Sequence, residues 1–411
     1  MTHTTGMTHT TLFITTDLPR DGGSGGQIAS WRALQAHAAL GPVDLVASVP
    51  PGSELTSELA SLVDRCRLVA IDAFYFATSR RTLMVTLAQA QLRRVPYRVA
   101  KFSDQRVRRC VNEFTLRRRY SVVHCDFVSN WQYAAAVDAP FRLLLHHNIE
   151  SQTYTTLGAT RSLPARWILS REALHASRHE LAAIGRADHT LVLSETDRDW
   201  IAARGGEALA SKVSVWPLPV EAHPALPRPA GQRLLILGSL RSLGRAGGVR
   251  WFLREVWPRV RAVQPGAQLD IVGAEPPEDV RAADGREGVS VYGFVEDLSD
   301  ILTHTQACLI PLFAGGGIRV KIVELLARGI PCIGSPLGVQ GMTHLPGIVA
   351  VDDVSAWVDA VCRALGSESG LRTAALSGRE RLIAEHSDER ARAHLAMAIG
   401  AMPSNELVEA H

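Results

Sequence analysis

Pro311-Leu312-Phe313-Ala314-Gly315-Gly316-Gly317-Ile318-Arg319-Val320-Lys321-Ile322-Val323-Glu324 leaves an apolar, strand-like run and passes through three glycines into a helical pattern with two cations and one carboxylate. Glycines let backbone N–H groups approach an anion closely. The first turn of a helix leaves amides unpaired, and the peptide dipoles there favour negative charge. Arg319 and Lys321 add full positive charges to that turn, so the stretch predicts a site for a nucleoside diphosphate. Glu324, one turn beyond Lys321, suits a phosphate poorly but can accept hydrogen bonds from both hydroxyls of a ribose. The same residues also read as a glycine-rich turn before a core helix, with Arg319, Lys321 and Glu324 on its solvated side.

Working outward, short apolar runs alternate with longer amphipathic ones, the pattern of parallel sheets covered by helices on both faces. Predicted strands in the first half are Leu12–Thr15, Val43–Ala47, Cys66–Ile71, Val122–Cys125, Arg142–His146 and His189–Leu193. In the second half they are Leu234–Leu237, Gln268–Val272, Val289–Tyr292, Ala307–Ile310, Pro331–Gly334 and Ile348–Ala350. Prolines at 217, 219, 224, 227 and 229 forbid both helix and central strand, so residues 216–229 read as a stiff linker. Two doubly wound α/β domains follow, one over 10–215 and one over 230–387, with a helical tail at 388–402. Such sheets bind ligands at the carboxyl ends of their strands. A second glycine-rich turn, Asp21-Gly22-Gly23-Ser24-Gly25-Gly26, follows the first strand of the first domain. Neither turn fits the G-x-x-x-x-G-K-[ST] phosphate loop or the G-x-G-x-x-G dinucleotide fingerprint, which argues against a kinase-type NTPase and a nicotinamide dehydrogenase.

The 411 residues exceed what one core ordinarily holds. With 46% hydrophobic and 21% charged residues the composition is that of a globular enzyme, and a net charge of +3 is too small to imply nucleic-acid binding. Six cysteines (Cys66, Cys110, Cys125, Cys308, Cys332, Cys362) have no metal-ligand spacing and read as free thiols of a reducing compartment. The first residues lack a basic segment before the short apolar Leu12-Phe13-Ile14, and no apolar run is long enough to span a bilayer. A cytoplasmic location is expected.

The chain resembles the family 4 glycosyltransferases across nearly its whole length. The resemblance rests on the Gly25-Gly26 turn, His146-His147-Asn148-Ile149-Glu150, Ala187-Asp188-His189-Thr190-Leu191-Val192-Leu193-Ser194, Gly238-Ser239 and Val291-Tyr292-Gly293-Phe294-Val295. Its most specific piece is Arg319-Val320-Lys321-Ile322-Val323-Glu324-Leu325-Leu326-Ala327-Arg328-Gly329-Ile330-Pro331. It implies a GT-B fold, two Rossmann-like domains facing across a cleft, and sugar transfer from a nucleotide donor with retention of configuration. The domain over 10–215, completed by the helix at 388–402, is then the acceptor side, and 230–387 binds the nucleotide sugar. The family often carries two glutamates seven residues apart. Glu324 matches the second, which holds the donor ribose, while Gly316 stands in place of the first. The loop after Gly238-Ser239 holds Arg241 and Arg245 but no lysine, so Arg319 and Lys321 are expected to carry the diphosphate charge, with Arg245 beside them.

By the same resemblance His147 sits near the transferred sugar, positioning it or stabilising developing positive charge through its backbone; on its own residue type it reads rather as a satisfied histidine at a strand end. His146, Asn148 and Glu150 become candidate acceptor contacts, as does Asp126, which also reads as a plain turn residue. Phe294 and Val295 join Gly25, Gly26, Gly238, Ser239, Gly315, Gly316 and Gly317 as candidate donor contacts. The scheme requires no metal or other cofactor, no D-x-D metal motif stands out, and the acceptor is expected to be a glycan, a lipid-linked saccharide or a small aglycone. UDP or GDP is favoured as the donor nucleotide. A nucleotide-sugar epimerase of the same fold and a catalytically silent membrane scaffold are the rival functions. Residues 93–119 hold ten Arg or Lys against Asp104 and Glu113, interleaved with apolar side chains, which reads as a segment resting on an anionic membrane or as a solvated helix face.

Overall fold

The computed structural model describes residues 9–71, 80–159, 161–240, 243–315, 319–366 and 370–400. Gly316, Gly317 and the end of the tail at 401–402 lie outside them. Two compact units make up the chain, Met1–Pro219 with Asp388–His411, and Val220–Ser387.

The first unit is built on seven parallel strands: β1 (Thr11–Thr16), β2 (Val43–Val49), β3 (Arg65–Ala70), β4 (Val122–Asp126), β5 (Phe141–His146), β6 (His189–Val192) and β7 (Val213–Val215). Their spatial order is β3-β2-β1-β4-β5-β6-β7. Every residue of β1 and β2 is buried, which is why these strands read as unbroken apolar runs and not as alternating ones. The core joins Leu12, Ile14, Val46, Val123 and Leu144 to Trp131, Tyr133 and Phe114 from the covering elements. The short edge strand β7 has no counterpart in the sequence reading. Trp216, which follows it, donates its Nε1–H to Ala391 O at 3.0 Å and so ties the helix Asp388–Ala398 to this unit.

The second unit repeats the plan with β8 (Arg233–Leu237), β9 (Gln268–Val272), β10 (Val289–Tyr292), β11 (Thr305–Ile310), β12 (Cys332–Gly334) and β13 (Ile348–Ala350), all parallel, in the order β10-β9-β8-β11-β12-β13. Its core packs Leu234, Ile236, Ala307 and Leu309 against Phe252, Trp257 and Trp357. In both sheets the chain reverses its direction of travel next to the first strand, between β1 and β4 and between β8 and β11. Loops leaving adjacent strands there depart to opposite faces, and the gap they leave at the carboxyl ends is where open α/β sheets seat ligands. Residues 216–229 have neither helix nor strand.

Candidate functional site

In the second unit the switch point lies between the loops after β8 and β11. Gly238 leaves β8 at φ +132°, and Gly273, at the end of β9, comes so close that an added Cβ would stand 2.1 Å from Gly238 O. Glycine is required at both places, one for conformation and one for room. The helix Leu243–Trp251 then crosses the segment after β11 through two glycines one turn apart. A Cβ on Gly244 would meet Ala314 O at 2.6 Å, and one on Gly248 would meet Pro311 O at 1.5 Å. Arg245 emerges between them and donates from Nη1 to Ser239 O at 3.0 Å. Burial pushes the Arg245 pKa down, so this cation sits where an anion would be welcome.

Gly315 has φ +146°, and the Arg319 guanidinium lies 3.3 Å from where its Cβ would be. Arg319 is the residue before the helix Val320–Ala327, which buries Val320, Ile322, Val323, Leu325 and Leu326. Lys321 and Glu324, three apart, are left half-buried on its other side, as the periodicity demands. The structure thus brings Gly238, Ser239, Arg245, Gly315 and Arg319 to one end of β8 and β11, with Lys321 and Glu324 on the first turns of the following helix. Phe294 and Val295 follow the edge strand β10, two strands away from β8, or roughly 10 Å at ordinary sheet spacing. Phe294 is 70% exposed.

In the first unit the corresponding place is occupied by a carboxylate. Asp126 ends β4 with no exposure. Its Oδ2 accepts hydrogen bonds from Thr15 Oγ1 at 2.5 Å and Ser30 Oγ at 2.6 Å, and its Oδ1 stands 2.5 Å from His147 Nε2. Burial alone would raise the Asp126 carboxyl, but the adjacent His147 and His124 outweigh it and hold it below the usual carboxylate range. An ionised carboxylate only accepts, so the His147 Nε2 carries a proton. His147 Nδ1 is buried and has no hydrogen-bond partner among the described residues. The imidazole is further fixed by Phe127, whose ring stacks on it at 3.9 Å between centroids and 11° between planes. Phe127 itself is held at φ +65°, a strained conformation for a residue with a Cβ. Gly26 makes room for that ring, since an added Cβ would meet it at 3.1 Å. Ser24 caps the helix Gly25–Ala38 in a reciprocal arrangement with Gln27, and Gln27 also donates to Asp17 Oδ1, so the turn after β1 is held from both sides.

Three residues read from the sequence as acceptor contacts are corrected: Asp126, with no exposure, backs His147, and two more are turned inward. His146 and Glu150 are 1% and 6% exposed and face inward. His146 Nε2 lies 3.5 Å from Glu180 Oε1, and Glu150 pairs with Arg98 at 3.1 Å. Glu180 also accepts from the Glu150 backbone N–H and the Ser151 hydroxyl. Burial would lower the His146 pKa, but the Glu180 carboxylate raises it; burial raises that of Glu150. These side chains hold the start of the helix Glu150–Ala159 in place, while Asn148 stays half-buried. The basic segment 93–119 is also reoriented. The helix Gln105–Arg117 directs Val107, Val111 and Phe114 into the core, leaving a charged outer face with Leu116 as its exposed apolar residue. A literal D-x-D does occur at Asp197-Arg198-Asp199. Its carboxylates diverge, Asp197 buried against the Ser194 hydroxyl and Asp199 exposed, as helical residues two apart must. Among the described residues no group of three His, Cys, Asp or Glu could hold a metal ion.

Thr15, Ser30 and Phe127 are the site residues that sequence reasoning missed. Their partners lie 96 or more positions away for Ser30 and Thr15, and nothing in a local pattern announces such a contact.

Comparison with known proteins fits this geometry. Residues 231–367 match the model for glycosyl transferases group 1. Among solved structures, the chain superposes on sucrose-phosphate synthase from Thermosynechococcus elongatus with a TM-score of 0.66 at 18% identity, covering 98% of this chain and 100% of that one. Anabaena HepE, solved in complex with UDP and glucose, gives 0.64 at 12% identity over 96% of this chain and 100% of that one. A TarM mutant from S. aureus, solved with Fondaparinux, alpha-GlcNAc-glycerol and UDP, gives 0.67 at 10% identity over 95% and 99%. No curated protein sequence matches. The chain has the GT-B fold of these structures, and with the match over residues 231–367 this supports an enzyme of the glycosyltransferase class.

Proposed function

We propose that the enzyme moves a hexose or similar sugar, with retention of configuration and without a metal, from a UDP or GDP donor to a hydroxyl of a glycan, a lipid-linked saccharide or a small aglycone. The observation that carries this reading is the convergence of Gly238, Ser239, Arg245, Gly315 and Arg319 at the switch point of the second sheet, inside the matched glycosyl transferase segment. The UDP complexes of HepE and TarM favour UDP. Arg319, Lys321 and Arg245 hold the diphosphate, which gains negative charge as the bond to the sugar anomeric carbon breaks. Preorganised cations act strongly on such developing charge. The acceptor oxygen bonds to that carbon as its proton passes to the leaving phosphate oxygen. Glu324 accepts from both ribose hydroxyls, and His147, seated on Asp126, presents Nδ1 to a hydroxyl of the sugar or acceptor.

Thermal-shift titration with UDP, GDP, ADP, CMP and dTDP tests the reading, because a ligand that binds the native state alone stabilises it by RT ln(1 + [L]/Kd). The expected result is a shift selective for UDP or GDP that is lost in Glu324→Ala. Equal affinity for the ribose and 2′-deoxyribose nucleotides would refute the role of Glu324. No shift with any nucleotide would refute the donor site.

A further inference from the structure

The helices Arg80–Arg93 and Leu163–Arg186 lie side by side in the first unit, joined where Gln91 donates to Glu172 and accepts from Arg171 Nε at 3.0 Å. Both carry large apolar side chains outward at helical spacing. On the first, Met84 is 62% and Leu92 86% exposed, with the exposed Ala88 between them; on the second, Leu163 is 80% and Trp167 63% exposed, followed by Leu174. Residues one and two turns apart fall on one face, so these are two apolar stripes and not scattered positions. Nothing in the donor or acceptor chemistry uses them.

The charge beside the stripes has one sign. Residues 83–101 hold Arg93, Arg94, Arg98 and Lys101, of which Arg98 pairs with Glu150, and residues 161–171 hold three Arg; neither segment has an Asp or Glu, and the adjacent Glu172 is buried. Arg93, Arg94, Arg161 and Arg166 are exposed, and the Arg171 guanidinium lies over the Trp167 ring at 4.9 Å. A like-charged second copy would be repelled from such a face. Among the described residues no helix is long and apolar enough to cross a membrane. We infer that the outer faces of Arg80–Arg93 and the first half of Leu163–Arg186 rest on an anionic phospholipid bilayer, with Leu92, Leu163 and Trp167 entering the acyl boundary and the arginines meeting lipid phosphates. The membrane-binding face is therefore not the basic helix Gln105–Arg117, whose apolar side is spent on the core. This inference is independent of the sugar and nucleotide bound.

Co-sedimentation of the full chain with vesicles of phosphatidylcholine, pure or mixed with phosphatidylglycerol, tests it. Binding to the mixed vesicles is expected, with little to the pure ones. Leu92→Glu with Trp167→Glu should weaken it by roughly tenfold or more at unchanged melting temperature. Arg93→Gln, Arg94→Gln and Arg166→Gln together should weaken it by roughly a hundredfold. Arg109→Gln with Arg117→Gln, on the other basic helix, should leave it within about twofold. Three results would overturn the inference. One is no binding of the wild type to the mixed vesicles. Another is binding that depends on Arg109 and Arg117 and not on Leu92 and Trp167. The third is a concentration-dependent dimer in sedimentation velocity that Leu92→Glu with Trp167→Glu dissociates, which would assign the face to a second copy.

Discussion

Adjacent glycines in the helix Leu243–Trp251 should respond to alanine with opposite signs. At Gly247 an added Cβ meets nothing within 4 Å, so Gly247→Ala changes only the helix propensity and the freedom of the unfolded chain, a gain of about 0.5–1 kcal/mol. At Gly248 the same atom would stand 1.5 Å from Pro311 O, where ordinary contact begins at 3.4 Å. Helix and strand end must separate by about 2 Å, and overpacking of this kind costs about 1–3 kcal/mol or more. For a unit the size of Val220–Ser387, each kcal/mol moves the melting temperature by about 2–4 °C. Gly247→Ala should therefore melt about 1–4 °C above the wild type, and Gly248→Ala about 2–12 °C below it. The displaced backbone leads directly into Gly315 and Arg319, so Gly248→Ala should also weaken binding of the favoured nucleotide by roughly tenfold or more, while Gly247→Ala leaves it unchanged. Differential scanning fluorimetry with a UDP or GDP titration reads both quantities in one experiment. Equal melting temperatures and equal nucleotide affinities for the two variants would refute the claim that this helix is seated on the turn through Gly248.

Asp126→Ala should be far more damaging than Asp126→Asn. Alanine strands the buried His147 Nε2–H, a loss of about 1–3 kcal/mol, since the Thr15 and Ser30 hydroxyls can turn to Thr16 O and Gly26 O, whereas the Asn carbonyl still accepts from His147 and its amide donates to the turned hydroxyls. Unfolding in urea would measure this, and equal destabilisation by the two substitutions would contradict the hydrogen-bond assignment. A pH effect is expected at the other end of the unit, where the Ser214 hydroxyl bridges His189 and His394 at 2.7 and 2.8 Å. Burial, aided by His394, lowers the His189 pKa to about 4. A base whose folded pKa is depressed contributes stability that is complete above its unfolded value near 6.5 and is lost as pH falls toward 4. Because His189 is partly exposed, the loss should amount to only about 1–2 kcal/mol. Hydrogen exchange of the helix Asp388–Ala398, corrected for intrinsic rates, should show protection declining over that window; constant protection would exclude the histidine bridge as its cause.

The second domain was legible in detail because its signals are local. Runs of buried parallel strand, the glycines before Arg319 and the three-residue spacing of Lys321 and Glu324 all lie within one strand-to-helix passage. Each of its six strands appears within two residues of its expected bounds. The acceptor-side candidates were less legible, because adjacent residues in an extended segment point to opposite sides. His146 and His147 read alike in sequence, yet one turns to Glu180 and the other to Asp126. The choice is made by carboxylates 34 and 21 positions away, which periodicity cannot see. Within residues 93–119 the sequence left two readings, and over Gln105–Arg117 the structure has the solvated helix face, because Val107, Val111 and Phe114 on the apolar side enter the core. The exposed stripe on Arg80–Arg93 has no sharp amphipathic pattern to reveal it, since apolar residues occur on its inner side too.

The two switch points differ in electrostatic character, and the difference agrees with a division of labour in sugar transfer. The second sheet gathers Arg245 and Arg319 where backbone glycines leave room, a setting for a group that is anionic before reaction and more so after it. The first sheet gathers a buried carboxylate, kept ionised by His147 and His124 and accepting from two hydroxyls, behind an imidazole that donates from Nε2 to Asp126 and whose Nδ1 has no partner among the described residues. That is a setting for a neutral hydroxyl donor and for the positive charge that develops on a sugar ring as its leaving group departs. Exchanging the two chemistries would leave a diphosphate facing a carboxylate and a developing cation facing arginines, each an uncompensated like-charge contact. On the proposed function, this contrast favours assigning the diphosphate to the Arg245 and Arg319 end of the second sheet and neutral hydroxyls to the His147 end of the first.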